Sequence, residues 1–537
     1  MNPPVSLPIF FFAIALLVSS MAGFQLSKRT ASGDAAERWI AALIPPAAVT
    51  LAVLLFYKML WAGFDEHNWM RLEKIFALAR GRPLYYGPGF GPALAALYGP
   101  MSALAYWPAT WTPYFTTIVP TACVISMLLF FAPVLGLLLI ETGGDKRRLY
   151  FAFLGFLIFA FTAIYSSSLR MAAFNVHADA PALGLSALAC AFLYGRRDSQ
   201  EWRFVLPAAA AAVLAVWSKQ VTVLLLPALA LNEWLVSGNR GLRRYLVCLA
   251  IAGLAVSCIF LFVFDPRAMF FQMITVPSRH PLKEDGLHAL VIAFVKLLRE
   301  CLLFLPWLIL GVLPSLMRLK RYLSFSAWLR DHRWFLFILV ASWMLPLSLY
   351  SNIKVGGSNN TFTFTNYFLV IGAILAMREG IEKPAAGAGI AGRIGAWMMV
   401  AALALAMGIG IPVAFYRALR LPRKTNFALI AYEYAKAHPG ETYFPRLSLI
   451  HLLAEGKIYH AIDGLMDRRW ANLPLTEEHV RKYVPPQAEM IAFYEEGEDH
   501  RWLLPLAEFS DSSEHTEALP HFNIYRRKAQ SSLRGLT

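Results

Sequence analysis

The chain has 537 residues, is 58% apolar and carries only 15% charged residues, against roughly 25% in an ordinary soluble protein. Lys and Arg number 49 against 34 Asp and Glu, a formal charge of +15, and mean hydropathy is +0.51. These values exclude a disordered chain, a collagen-like fibre and a small disulfide-stapled domain, and they argue against a string of soluble domains.

A surplus of basic residues invites a nucleic-acid reading until its location is known. Residues 1–415 hold 33 Lys and Arg with 18 Asp and Glu, which is the whole +15, whereas 416–537 hold 16 of each sign. The surplus belongs to the apolar part of the chain. The sequence therefore reads as a membrane domain, 1–415, with a small extramembrane domain, 416–537, and no nucleic-acid partner is expected.

A hydrocarbon core of about 30 Å needs about 20 apolar residues per helix, fewer where a helix stops inside protein. Twelve candidate spans follow in chain order: roughly 5–24, 39–61, 113–140, 149–168, 178–195, 204–217, 221–236, 245–264, 301–317, 334–351, 363–377 and 394–415. Pro45 and Pro46 predict a kink in the second. The sixth and seventh are short and flank Ser218, Lys219 and Gln220, a tight hairpin near one membrane face. The loops 25–38, 141–148, 196–203, 237–244, 318–333 and 378–393 hold 20 Lys and Arg in about 70 residues. The opposite set holds 12 in about 110, so the positive-inside rule puts the first set in the cytoplasm. The N-terminus and, with an even span count, the tail are then expected outside. Residues 1–24 have no basic n-region, so a first span is expected there in place of a cleaved signal peptide.

The five cysteines, Cys123, Cys190, Cys248, Cys258 and Cys301, lie in or beside apolar segments. They form no disulfide framework on the outer face and no zinc spacing.

The outer loop 62–112 is the long one. It opens Phe64-Asp65-Glu66-His67-Asn68-Trp69, and Trp69, Leu72, Phe76 and Ala79 make a helical stripe with Arg71, Glu73 and Lys74 pointing elsewhere. This predicts an interfacial helix over 65–80. Asp65 suits an N-cap with Phe64 and Trp69 as a hydrophobic staple; it equally suits a carboxylate at a membrane cavity, acting as base or cation ligand. The two roles are compatible. Gly81 to Pro100, including Tyr85, then breaks the helix with recurrent Pro, Gly and Tyr.

Further along, His177 and Asp179 stand two apart at the outer start of the fifth span, where they could converge on a cation or a hydroxyl, or where Asp179 could cap a helix. Basic residues are scarce on this side, and Arg170, Lys219, Arg279 and Lys354 are candidates for a phosphate at headgroup level. Snorkelling explains each of them singly. Lys354 leads into Gly356-Gly357, which allow close backbone approach. Arg417, Arg420, Arg423 and Lys424 follow the last span and either meet lipid phosphates or do nothing in particular. In the tail, 441–444 and 489–494 read as strands, and helices are expected near 446–456 and 476–484.

These residues together resemble the GT-C superfamily of membrane glycosyltransferases, in particular its protein mannosyltransferase and aminoarabinose transferase-like group. The likeness rests on the acid-led first outer loop, the Gly-x-Pro-Leu-Tyr run from Gly81, the Asp179 stretch and Trp217-Ser218-Lys219-Gln220. It covers roughly residues 39–240, and the remainder only by layout. What the resemblance implies is a mostly α, polytopic membrane helical bundle of about twelve spans, with a small C-terminal α/β extramembrane domain. It implies an inverting enzyme that moves a sugar from a polyprenyl-phosphate donor to a lipid, glycan or protein acceptor on the outer face, in a bacterial inner membrane with the loop and tail in the periplasm.

Under that resemblance Asp65 or Glu66 is the base, and Lys219, Lys354, Arg170 and Arg279 bind the donor phosphate. Asp179, His177 and Tyr85 then contact substrate. Superfamily members that use a metal hold it with acids of the first two outer loops. Asp65, Asp179 and His177 would be that set here, but no clear Asp-x-Asp occurs, so a divalent cation is left open and no other cofactor is expected. The main rival is a transporter or flippase, which usually shows two similar halves and midplane polar sites. A non-enzymatic scaffold is a third class, and it gives no reason for a long, acid-led loop.

Overall fold

The computed structural model describes residues 6–29, 35–140, 142, 145–196, 202–283, 286–317, 319–382, 389–421, 424–473, 475–494, 501–514 and 516–528. Arg423 lies outside the described residues. The chain is mostly helical and divides into two compact units. One contains Met1–Trp61, Cys123–Cys258 and Leu282–Lys424; the other contains Ala62–Ala122, Ile259–Pro281 and Thr425–Thr537. Sequence reasoning separates 1–415 from 416–537, whereas here the outer loop is grouped with the tail.

The first unit is a helical bundle. Each of the twelve expected segments coincides with a helix, but among the described residues eight helices are long and apolar enough to cross a membrane, or nine if a bent pair counts as one. The bent pair is Ser167–Phe174 with Asp179–Gly195, at 98°. The seventh and eighth expected spans form one assigned helix, Leu225–Val263, broken at Gly238, whose φ of 65° only glycine adopts without strain. Pro45 and Pro46 lie inside the continuous helix Ala35–Ala62.

Lipid tails give helices no hydrophobic reason to associate, so close approach of small residues matters. A Cβ on Gly184 would lie 2.4 Å from the Leu129 carbonyl oxygen, and one on Gly311 2.6 Å from that of Ala373. Phe130, Phe159 and Tyr367 fill the centre with ring centroids 4.9 to 5.6 Å apart. The Tyr367 hydroxyl donates to the Phe130 carbonyl at 2.9 Å.

The second unit is built on a four-stranded sheet of β1 (Thr442–Tyr443), β2 (Met490–Tyr494), β3 (Phe509–Glu514) and β4 (Phe522–Arg527), in the order β1-β2-β4-β3. β1 runs parallel to β2, and the other pairings are antiparallel. The expected tail helices are present as Ser448–Glu455 and Glu477–Lys482. The outer loop is stitched to this tail through backbone groups. Ala461 N donates to Ala93 O at 2.9 Å, and Ala93 N donates to His460 Nδ1 at 2.8 Å. Arg468 reaches the carbonyls of Gly87 and Pro88 at 3.1 and 3.2 Å.

The helix expected over 65–80 is Glu66–Ala79, but it is not a surface helix with charges facing water. Glu73 and Lys74 are buried with Trp69, Leu72 and Phe76. The tail helix Ser448–Glu455 packs on it, and Ser448 Oγ donates to Glu73 Oε2 at 2.6 Å. A single-sequence periodicity shows one apolar stripe; it does not show that a distant segment covers the other side.

Candidate functional site

In the bundle, the helix Asp179–Gly195 begins at Asp179, with Pro181 in its first turn. Asp179 is inside the helix and does not cap it; the capping position is Ala178. Its carboxylate is used across the fold. Lys219 Nζ donates to Oδ1, and His177 Nδ1 lies 2.7 Å from Oδ2. All three side chains are buried, and the ammonium also lies 5.6 Å from the centre of the Phe364 ring. The extended backbone of Lys219 (φ −149°) links the helix Trp202–Val216 to a 3-10 turn at Gln220–Leu224, which is the hairpin tip the sequence predicts.

Three expected substrate residues thus meet, and the meeting changes their roles. Lys219 is committed to Asp179, not free for a phosphate. Lys219 takes one oxygen of Asp179, and the other, 2.7 Å from His177 Nδ1, makes no hydrogen bond among the described residues. Among the described residues no group of three or more His, Cys, Asp and Glu side chains comes together to hold an ion.

The other basic candidates of the bundle are dispersed. Lys354 is half-buried, 5.4 Å from the Tyr350 ring. The glycine turn beside it receives protein instead: Lys283 Nζ donates to Asn352 O at 2.7 Å and to Gly357 O at 2.9 Å. Arg170 is exposed, and its charge acts on both Lys58 and Arg417. Arg417 Nη1 is buried without a hydrogen-bond partner among the described residues, and Lys58 Nζ stands 5.4 Å from the Phe174 ring centre. Lys58, half-buried in an apolar run of the second span, gives no sign in the sequence that two arginines act on it.

A second polar cluster escapes sequence reasoning altogether. Glu300 accepts from Ser166 Oγ at 2.6 Å, from Ser168 Oγ at 3.3 Å and from Ser167 through both hydroxyl and amide. Asn359 and Asn366 complete it through Ser167 and Ser168 at 3.1 and 3.0 Å. The carboxylate thereby caps the helix Ser167–Phe174 from 133 positions away. Three adjacent serines after an apolar helix were the available signal.

In the second unit, Asp65 caps the helix Glu66–Ala79: its Oδ1 accepts from His67 N at 3.0 Å and lies 3.1 Å from His67 Nδ1. The N-cap expectation therefore holds, while Oδ2 has no hydrogen-bond partner among the described residues. Asp65 and His67 are 38% and 43% exposed, so the pair is reachable. Burial pushes the Asp65 carboxyl up, but the His67 hydrogen bond and the charges of His67 and Arg71 outweigh it and hold the group below the usual aspartate value. The same hydrogen bond raises His67 against the effect of burial. Asp65 is ionised at neutral pH, as a base must be.

Glu66 is spoken for. Arg446 pairs with its Oε1, and its Oε2 is buried. Tyr85 is also committed: its ring is buried edge-on to Phe264 at 6.0 Å, and its hydroxyl donates to Tyr98 O at 2.7 Å. Arg279 is exposed at the end of the short helix Val276–Ser278. The structure gives Glu66 and Tyr85 packing partners where the sequence suggested substrate.

Comparison with solved structures identifies the fold. The chain superposes on ArnT from Cupriavidus metallidurans, determined with undecaprenyl phosphate bound, with a TM-score of 0.54 over 90% of this chain and 97% of ArnT at 14% identity. The Archaeoglobus fulgidus oligosaccharyltransferase in its apo form gives a TM-score of 0.44 over 83% of this chain and 69% of that one, also at 14% identity. No family model and no curated protein matches the sequence. The chain has the GT-C fold.

Proposed function

We propose that the protein is an integral-membrane inverting glycosyltransferase that takes a sugar from a polyprenyl-phosphate carrier and hands it to a lipid, glycan or protein acceptor. The observation that carries this reading is the likeness of fold to ArnT over nearly the whole of both chains, joined to an ionised, reachable carboxylate at Asp65. ArnT was determined with undecaprenyl phosphate, which supports a lipid-phosphate donor here.

In this reading Asp65 Oδ2 takes the proton of the acceptor hydroxyl. The acceptor oxygen forms a bond to the anomeric carbon as the carbon–oxygen bond to the carrier phosphate breaks on the opposite side, which inverts that centre. A phosphate leaving group carries its own charge, so it needs cations and not a proton from an acid. Of the basic residues expected to meet that phosphate, Lys219, Lys354, Arg170 and Arg279, Arg170 is the proposed partner. Asp179, His177 and Lys219 act as a unit that fixes the start of the helix Asp179–Gly195. A divalent cation is compatible with the fold, and no step above is assigned to one. The face of the membrane on which transfer occurs is proposed to be the periplasmic one, from the Lys and Arg distribution.

The test supplies purified protein with a panel of radiolabelled polyprenyl-phosphate sugars and membrane extract. Transfer lost in Asp65→Ala and kept in an Arg240→Gln surface control supports the reading. Full turnover in Asp65→Ala removes Asp65 as the base, and lipid translocation without transfer replaces the enzyme by a flippase.

A further inference from the structure

The end of the helix Asp179–Gly195 away from Asp179 also carries a cluster of charged side chains. The 17 residues of the helix span about 25 Å at 1.5 Å per residue, so its C-terminus is about a hydrocarbon thickness from Asp179. Around that end lies a cavity of about 120 Å³ whose lining includes Arg196, Arg330, His332 and Arg333. These belong to the loops 196–203 and 318–333, which carry part of the Lys and Arg surplus.

Two of the four stand beside carboxylates within the fold. Arg196 makes a bidentate pair with Glu233 at 2.8 and 2.9 Å, and His332 Nδ1 lies 2.9 Å from Glu379. The other two do not. Arg333 donates to the Tyr194 carbonyl at 3.1 Å and Arg330 to the Ser326 carbonyl at 3.3 Å. Neither has a carboxylate within ion-pair distance among the described residues. Two guanidinium groups anchored by one neutral hydrogen bond each keep their other donors available, and the planar fork of arginine suits phosphate oxygens.

The surroundings are those of a lipid and not of a soluble anion. Leu193, Leu329 and Phe335 form part of the cavity wall. Leu323 is fully exposed and Phe325 is 42% exposed, on the segment leading into the helix Phe325–Asp331. Trp202 and Trp234, 53% and 47% exposed, flank the adjoining loops, where aromatic side chains mark the membrane–water boundary. Such apolar exposure beside a cationic cavity is satisfied by acyl chains below a headgroup.

We propose that this cavity binds the phosphate of an acidic phospholipid, with Arg330 and Arg333 on the phosphate oxygens and the acyl chains along the Leu323 and Phe325 flank. The site is at the opposite end of the helix from Asp179 and does not depend on the glycosyltransferase reading.

Native mass spectrometry of the full chain, released from mixed phosphatidylglycerol and phosphatidylcholine nanodiscs, tests it. Phosphatidylglycerol is retained over phosphatidylcholine by the wild type. Retention falls about fivefold or more in the double variant Arg330→Gln, Arg333→Gln, persists when both are changed to Lys, and persists in Arg240→Gln, which removes a charge from a neighbouring loop. Equal retention of both lipids overturns the proposal, as does an equal loss in Arg240→Gln. Displacement of the lipid by millimolar inorganic phosphate also overturns it, by making the site one for free anions. Thermal melts accompany each variant; should the double Gln variant unfold, Arg330→Gln alone, at an exposed position, decides the same outcomes.

Discussion

Lys219 sets its ammonium on the carboxylate of Asp179, 40 positions earlier in the chain, and both side chains are more than nine-tenths buried. Charges removed from water on this scale persist only when each satisfies the other. The pair therefore ties the hairpin tip to the first turn of the helix Asp179–Gly195, with His177 on the remaining oxygen.

Breaking one half of that pair strands the other. Lys219→Met is expected to destabilise the bundle by about 3–5 kcal/mol, whereas adding Asp179→Asn to it restores most of the loss. Thermal unfolding in detergent measures both. A double variant as unstable as Lys219→Met would mean that the ammonium is held by something other than Asp179.

The pH dependence of transfer follows from Asp65. Because its carboxyl titrates below the usual aspartate value near 3.9, the acid limb of kcat/KM lies below that value. In His67→Ala the hydrogen bond and charge that lower it are gone and burial remains, so the limb moves to higher pH. The same sign governs stability: the Asp65 contribution is present above its unfolded value and is lost as pH falls through the folded one. His67, raised by the same bond, loses its contribution as pH rises through its own folded value.

Glu73 behaves oppositely. Burial raises it to about 8 against the lowering effect of Ser448, so it is protonated in the folded unit at neutral pH. Its contribution to stability is full below the unfolded value of 4.5 and declines as pH rises toward about 8. Glu73→Gln removes that decline and stabilises the protein at pH 8 by on the order of a few kcal/mol. Melting curves of both forms from pH 5 to 8 show whether their difference widens; parallel curves would contradict the assignment.

Glu66→Ala is expected to leave transfer within a few-fold of wild type while costing about 1.5–3 kcal/mol through the lost charge-assisted bond to Arg446. Asp65→Ala loses roughly 10²–10⁴-fold in kcat and about 1 kcal/mol of stability through the lost N-cap. Assayed side by side, the two variants separate the base from its neighbour.

Gly464 carries the contact between the outer loop and the tail. A Cβ there would lie 2.6 Å from the Ala93 backbone, so Gly464→Ala is expected to cost about 1–3 kcal/mol. Faster proteolysis of the segment 81–100 than in the wild type would report the loosened loop.

Local physics was readable. Asp65 before an amphipathic run announced an N-cap because the orphan amides of a first turn need an acceptor within three residues. Apolar stretches of bilayer length announced the helices, although two of them follow each other with only the kink at Gly238 between. The tail strands at 441–444 and 489–494 were visible, whereas β3 and β4 were not; the Ser-Asp-Ser-Ser core of β3 lacks a strand-like alternation.

Pairings across the chain were not readable. His177 and Asp179 were read as a pair converging on a cation or hydroxyl and Lys219 as a separate phosphate ligand; that Lys219 pairs with Asp179 depends on two turns meeting. Glu66, Glu73, Lys74 and Tyr85 looked available because their partners Arg446, Ser448, Ser102 and Tyr98 come from elsewhere. Hydropathy and near-neighbour hydrogen bonding are enough to locate the apolar helices and the cap at Asp65, because both act within a few residues of chain. The tertiary structure alone decided which charges are spent and which remain free, because a buried charge takes its role from whatever the fold sets within about 3 Å of it.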